Sequence, residues 1–532
     1  MTVPGGSKRV SHGAAEWGTR PRHPTLALLA VALFASGCGS PGQPAASIQA
    51  PEGPAGNPIQ IENAKTGAGE WVLTNPVADR EIEGYASQTS VNRGGSISFF
   101  VNTAESTYNL EIFRLGWYGG QGGRRMTEAV TLTGASQPIP TPDSVTGLIE
   151  CQWTNPYVLP IPRNPTDPSD WASGVYLAKL TAGTSGKQSY IIFVVRDDGR
   201  PSDFLFQSSV NTFQAYNNWG SKSLYDWNTQ GERARKVSFN RPYAVGPQTA
   251  SYPGVGAGEF LTNIQPEDET YAAAWEYPFL RFLEREGYDV TYSTDIDTHA
   301  DGGALLIHKG FLSVGHNEYW TWEQRDHGTA ARDAGVSLGF FSANSIYWQV
   351  RLEPGFDGTP NRTVVCYKEA AYTEDPYYLS GLADLMHLVT VRWREDPLNL
   401  PEDGFIGVMY VTNPVHSDIV VDDDANWVYA NTGLSNGDRL VGLLGYEADQ
   451  MFGNAPPGTV RVAHSVFGTG ERDFSDATVY TASSGATVFA IGSMQWSWGL
   501  DDYGVATMRP SVLNSAAQQM TRNVLTRFAG GD

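Results

Sequence analysis

The chain has 532 residues, among them 15 Trp and 25 Tyr, and a formal net charge of −21. That acidity, with no run of basic residues, excludes a nucleic-acid partner, because phosphate binding needs a basic patch. At ~150 residues per domain the length allows two or three domains, and three cysteines are too few for a disulfide scaffold.

At the N-terminus Arg20 and Arg22 precede an apolar stretch from Leu26 to Phe34. A membrane-spanning helix needs ~20 such residues, so the stretch reads as a targeting segment. It ends in Ala35-Ser36-Gly37-Cys38. Small residues directly before a cysteine resemble a bacterial lipoprotein signal more than an ordinary cleaved secretory signal, and predict lipidation of Cys38. Residues 1–38 are therefore read as a signal peptide with a lipobox. Residues 39–70, Pro-, Gly- and Ala-rich as far as Gln60, are read as a disordered tether. The expected localisation is the cell membrane, lipid-anchored and extracytoplasmic, or secreted. Of the remaining cysteines, Cys366 follows Thr363-Val364-Val365 and reads as a small buried residue on a strand. An exported protein could pair it with Cys151, but the two fall in different predicted domains.

From 71 to 197 the pattern is all-β. Strands are predicted at Ile82–Tyr85, Ser96–Val101, Tyr108–Arg114, Val175–Leu180 and Ser189–Val195, separated by Gly, Asn and Ser turns, as in an immunoglobulin-like β-sandwich. The glycine-rich run Gly116–Gly123 lacks the strand–helix context of a dinucleotide loop and reads as a structural turn or a surface packing on the next domain. Arg196–Pro201 reads as a linker. From 202 to 530 strands alternate with helices. A strand is predicted at Phe204–Ser208, a helix at Trp275–Glu286, strands at Asp289–Ser293, Ala304–Ile307 and Phe311–Val314, a helix at Trp322–Asp333 and a strand at Val336–Phe341. Shorter strands follow at Arg439–Leu444, Thr459–Ala463 and Ala486–Ile491, then a last helix at Ser511–Phe528. This grammar implies an α/β domain with a mostly parallel sheet in a three-layer, glutamine-amidotransferase-like arrangement.

Ligands bind at the carboxyl ends of strands in open α/β sheets. After the predicted strand at Phe311–Val314 come Gly315, then His316, Asn317 and Glu318, with Tyr319 and Trp320 behind them. If the backbone stays extended, His316 and Glu318 point to one side. Four further segments follow apolar strands: Asn211–Gly220 with Tyr216, Ser342–Ser345 with Asn344, Lys368-Glu369, and Gly445–Asp449 with Glu447. Arg241-Pro242-Tyr243 sits after Val237-Ser238-Phe239. Loops placed in this way converge on one crevice.

The set GHNEYW, FFSANSIYW, VVCYKE and AYNNWG, behind EIFRLGWYGGQGGRR, resembles the large (beta) subunit of N,N-dimethylformamidase and its relatives over roughly residues 80–525. In that family a mononuclear ferric iron, held by two tyrosines and a glutamate, serves hydrolysis of a small tertiary amide. The resemblance implies Glu318, Tyr216 and Tyr243 as Fe(III) ligands, and His316, Asn344, Lys368 and Glu447 as the residues around the reacting amide, with no nucleotide or organic cofactor. The family's large subunit is longer, carries a lectin-like β-domain and works with a small partner subunit. Phenolates and a carboxylate suit a hard trivalent cation, and a three-ligand set leaves positions for water and a carbonyl oxygen. Glu447 or His316 would take the water proton, and Asn344 and Lys368 would hold the developing oxyanion.

The expected function is thus an exported, lipid-anchored, metal-dependent amidohydrolase, a hydrolase of carbon–nitrogen bonds other than peptide bonds. Its expected partners are a small-molecule amide, the membrane and further copies of the chain in a homo-oligomer. The alternative is a non-catalytic surface lipoprotein that binds a glycan or small amide in an aromatic-rich crevice. Three motifs are set aside. Ser435 in Gly433-Leu434-Ser435-Asn436-Gly437 lies in a polar loop and not in a strand-to-helix elbow. Cys366 lacks the flanking glycines of a nucleophile elbow, and Asp422-Asp423-Asp424 lacks the glycine and distal glutamate of a calcium loop.

Overall fold

The strand Gly310–His316 is buried along its whole length, as its nearly uninterrupted apolar run requires of a central parallel strand. On one side it pairs in parallel with Phe204–Ser208 and on the other with Ser337–Ala343. The computed structural model, which describes residues 56–244, 255–263 and 273–531, builds these strands into a seven-stranded sheet. Its order is Val290–Thr294, Phe204–Ser208, Gly310–His316, Ser337–Ala343, Thr487–Ala490, Phe474–Thr481 and Val460–Val466. The first five are mutually parallel, Phe474–Thr481 runs antiparallel to them, and Val460–Val466 pairs antiparallel with Phe474–Thr481. The chain lays Val290–Thr294 on one side of Phe204–Ser208 and then returns to lay Gly310–His316 on the other. Strand order therefore reverses between Phe204–Ser208 and Gly310–His316, and a crevice opens at their carboxyl ends.

Helices cover this sheet for local reasons. Tyr277–Glu286 stops at Gly287, which takes the left-handed conformation (φ 77°) that glycine adopts without a side-chain clash. Trp322–Asp333 starts at a reciprocal cap, in which the Gln324 N–H donates to Thr321 Oγ1 and the Thr321 N–H donates to Gln324 Oε1. The core runs through Phe206, Phe279, Tyr292, Phe341 and Phe489. Residues Gly302–Ile307, read from sequence partly as a strand, form a 3-10 helix. Their apolar run is bounded by Asp301, whose carboxylate accepts the Gly303 N–H and starts a helical turn.

Before this layer lie a three-stranded antiparallel sheet and a six-stranded sheet, with Phe99 of the first against Phe193 of the second at 5.2 Å. The described residues fall in one compact unit. The seam is a buried bidentate pair, with Arg114 from strand Thr107–Leu115 on Glu284 of helix Tyr277–Glu286 at 2.7 and 2.9 Å. The glycine-rich turn meets the same seam, where the Tyr118 hydroxyl donates to Glu62 at 2.7 Å.

The tether expectation for residues 39–70 is corrected over the part that is described. Pro58–Asn63 is a helix capped by Asn57, with Ile59 and Glu62 buried. Its polar residues have partners far along the chain: Glu62 accepts from Arg124, and Asn63 from the Trp117 and Tyr118 N–H groups. Composition alone reads such a stretch as solvated. The expected signal peptide, Cys38 and the tether up to residue 55 lie outside the described residues.

Candidate functional site

His316 ends its strand opposite Ala343 of the neighbouring strand, so Asn344 stands one residue beyond. Gly315 precedes it at φ 73°, and a Cβ there would fall 2.3 Å from Trp275 Cβ, so only glycine allows the turn and the close approach. The backbone leaves the extended state at this point, and the two side chains still converge, with His316 Nε2 3.3 Å from Glu318 Oε2. The loop carrying Glu318 is pinned. Its N–H donates to Thr212 Oγ1 at 3.0 Å, and its carbonyl accepts from Tyr347 and Trp348 at 2.9 and 3.0 Å.

Glu318 Oε2 accepts two phenols, Tyr216 at 3.0 Å and Tyr225 at 2.8 Å, and Tyr319 donates to the Tyr225 oxygen at 2.5 Å. Tyr216 and Tyr225 stack at 4.3 Å. Helix Val210–Tyr216 delivers the first phenol to the end of strand Phe204–Ser208. The antiparallel ribbon Met409–Val420 and Arg439–Gln450 delivers Glu447 from the other side. Glu447 Oε2 is 3.4 Å from His316 Nε2, and Glu447 Oε1 accepts the Asn413 amide at 3.1 Å. Lys368 Nζ sits 3.3 Å from the centroid of the Tyr225 ring. The third carboxylate near His316 is Glu259, whose Oε2 is 3.8 Å from Nδ1.

Electrostatics follow from burial. Desolvation pushes Glu447 up to about 8, with His316 opposing and Glu318 adding to the shift. For His316 desolvation alone would lower the pKa, but Glu447, Glu259 and Glu318 hold it well above the usual imidazole range. Burial would likewise raise Glu318, yet His316 and Lys368 keep it below the ordinary carboxylate value. Lys368 is pushed down to about 8 by burial, with Glu318 opposing. Burial and then the Glu318 carboxylate hold both phenols well above their usual range, so they stay protonated unless a cation joins them.

Six of the seven site residues read from sequence come together here: Tyr216, His316, Glu318, Asn344, Lys368 and Glu447. Tyr243 does not. Its ring packs edge-on against Phe213 at 6.5 Å, behind the helix that carries Tyr216, and the phenol meeting Glu318 is Tyr225. Tyr225 sits in a polar turn, Ser221–Asn228, that follows no strand, so strand-end reasoning passed over it. Its one signal was the aromatic pair Tyr225 and Trp227 close behind Tyr216. Ser435, set aside as a turn residue, is exposed, and its carbonyl accepts the Asp438 N–H. Cys151 and Cys366 are buried free thiols.

Among the described residues no group of three His, Cys, Asp or Glu side chains is placed to hold a metal ion. The Glu318 cluster differs in resting on phenols, and two phenols with a carboxylate are a donor set for a hard cation. Both His316 nitrogens, Glu447 Oε2, both Glu259 oxygens and Asn344 Oδ1 are buried with no hydrogen-bond partner among the described residues. Other buried atoms among the described residues also lack partners, such as Trp393 Nε1 and Thr478 Oγ1, but here they gather around one imidazole, and such a concentration fits a site that receives a ligand.

The family model described as N,N-dimethylformamidase beta subunit-like, C-terminal matches residues 109–509, a span that holds every residue of this cluster. The N,N-dimethylformamidase beta subunit of Alcaligenes sp is 24% identical over 337 residues, covering 55% of this chain and 41% of that relative. The match thus spans less than half of the relative's own length.

Proposed function

We propose, from the premise that this chain belongs to the N,N-dimethylformamidase beta subunit-like family, that it hydrolyses a small non-peptide amide in the Glu318 crevice. The observation that carries the reading is the meeting of two phenols on one oxygen of Glu318, beside a His316–Glu447 pair whose facing atoms lack partners. Tyr216, Tyr225 and Glu318 would hold a ferric ion, which when bound would polarise the amide carbonyl and acidify water. Glu447 Oε2, in the fraction of molecules where it is ionised beside protonated His316, takes the proton from the attacking water. His316, kept protonated by its carboxylates, gives its Nε2 proton to the departing amine. Asn344 and Lys368 face the carbonyl oxygen as negative charge builds on it. The products are a carboxylic acid and an amine. The proposal extends to the architecture, with an immunoglobulin-like β-sandwich ahead of a glutamine-amidotransferase-like sheet. It extends also to export and lipid anchoring through Cys38, and to assembly with further subunits.

Metal content, the visible spectrum and amine release from formamides and acetamides test it together. Bound iron with a tyrosinate charge-transfer band, and release of dimethylamine from N,N-dimethylformamide or of an amine from a related amide, are expected. Saturable binding of a glycan or amide by metal-free, colourless protein with no turnover would sink the reading. For the anchor, Cys38→Ser should move the protein out of the membrane fraction; fractionation like the parent would exclude it.

A further inference from the structure

Glu259 is a buried carboxylate that no structural need explains. It is 2% exposed, and neither oxygen has a hydrogen-bond partner among the described residues. Its one ion pair among the described residues is with His316, at 3.8 Å from Nδ1. Desolvating a carboxylate costs several kcal/mol in a protein interior, and among the described residues the His316 imidazole is the one charged partner that offsets it. The segment that carries it is nonetheless firmly placed. Tyr190 of strand Gln188–Arg196 donates its N–H to the Val255 carbonyl at 2.9 Å. Gly256 (φ 88°) lies so close that a Cβ would meet the Tyr190 carbonyl at 2.0 Å. A Cβ on Gly258 would touch Phe213, in the helix that carries Tyr216, at 3.0 Å. Phe260 and Leu261 are buried. The all-β layer thus holds Glu259 against the imidazole face that Glu318 and Glu447 do not use.

We propose that Glu259 is a positioning residue that draws the His316 Nδ1–H toward itself and so keeps Nε2 between Glu318 and Glu447. An imidazole has two nitrogens, and the one that faces a reacting group is set by the hydrogen bond of the other. Nε2 already lies 3.3 Å from Glu318 and 3.4 Å from Glu447. A ring freed at Nδ1 can turn about its χ2 angle and withdraw the proton that Nε2 offers. The 3.8 Å separation fits this role, since such bonds are often long before substrate is bound. The consequence for catalysis rests on the hydrolase reading; the orientation of the ring does not.

Crystal structures of the parent and of Glu259→Met, with melting temperatures for both, decide the orientation. The expected result is a variant as stable as the parent or more so, with the His316 ring turned from Glu318 and Glu447 or split between two orientations. An unmoved ring in a folded Glu259→Met overturns the proposal. If Glu259→Met melts far below the parent or does not fold, Glu259→Leu is read in the same way, and failure of both to fold makes Glu259 a structural residue and overturns the proposal. With N,N-dimethylformamide as substrate, Glu259→Gln should lower kcat about 10- to 100-fold with KM nearly constant, and Glu259→Asp should recover part of it. A parental kcat, or an effect confined to KM, also overturns the proposal. If the parent hydrolyses no amide, the proposed function fails alone, and the ring orientation still settles the role of Glu259.

Discussion

Two clusters of fully buried charge sit in this molecule and are built on opposite terms. At the seam between the β layer and the α/β sheet, every carboxylate oxygen of Glu284 and Glu62 accepts a hydrogen bond. Glu284 receives Arg114, Asn63 and Tyr292, and Glu62 receives Tyr118, Arg124 and Lys65. At the strand ends, Glu318 is well supplied, but His316, Glu447, Glu259 and Asn344 expose orphaned atoms to one another. Burial is equal, and the state of the hydrogen bonds is not. At the seam, among the described residues, only Arg114 Nε is left over, and the satisfied carboxylates fix two layers together; at the strand ends the unsatisfied carboxylates and imidazole store polar groups for something that arrives later.

The largest effects should come from breaking the site. Glu318→Ala should strip the metal and reduce turnover to background while the far-ultraviolet circular dichroism stays that of the parent. Glu447→Gln should cost about 10²- to 10⁴-fold in kcat. Tyr225→Phe should weaken and shift the tyrosinate absorption band, leaving the part that Tyr216 supplies. A parental metal content in Glu318→Ala or Tyr225→Phe would remove that residue from the ligand set.

Breaking the seam should do the reverse. Glu284→Gln leaves the Arg114 guanidinium buried without its counter-charge, and should cost about 3–5 kcal/mol in urea unfolding with activity per folded molecule unchanged. Replacing both partners, as in Arg114→Met with Glu284→Leu, should recover most of that loss. A double variant no better than the single would show that the pair does more than satisfy itself.

Acid and base should separate the two clusters in metal-free protein. Burial raises Glu447 from 4.5 to about 8, so the stability it contributes is present in acid and lost as pH rises from about 5 through about 8. Burial would raise Glu62 too, but Arg114 and Arg124 hold it below 4.5, so its contribution is present above that value and lost as pH falls further. Each limb should be on the order of a few kcal/mol at most. Urea midpoints across pH should show Glu447→Gln flattening the alkaline limb alone and Glu62→Gln the acid limb alone; one substitution flattening both would merge the two clusters into one. The smallest effect is expected for Tyr243→Phe, with parental metal content and a loss of no more than about 1 kcal/mol.

Much of this was legible in the sequence because it is encoded locally. The apolar run before His316, the Thr321–Gln324 cap and Gly287 after Glu286 each announce a strand or helix through short-range sterics and hydrogen bonding. The rule that ligands gather at strand ends then marks His316, Glu318 and Asn344, whereas Glu447, read as lying beyond a strand ending at Leu444, sits within the strand Arg439–Gln450. Tyr225, Glu259 and Asn413 were not legible, because each sits in a turn or ribbon whose place is set by contacts with distant residues. The helix at Pro58–Asn63 escaped for the same reason, since its composition resembles a solvated linker until Tyr118, Arg124 and Glu284 are brought alongside. By itself the sequence determined most of the elements, the acidic composition and the family. Tertiary structure alone decided which of 25 tyrosines meets Glu318, and which buried carboxylates are left without partners. Hydrogen-bond satisfaction is a property of groups far apart in the chain, and periodicity carries no record of it.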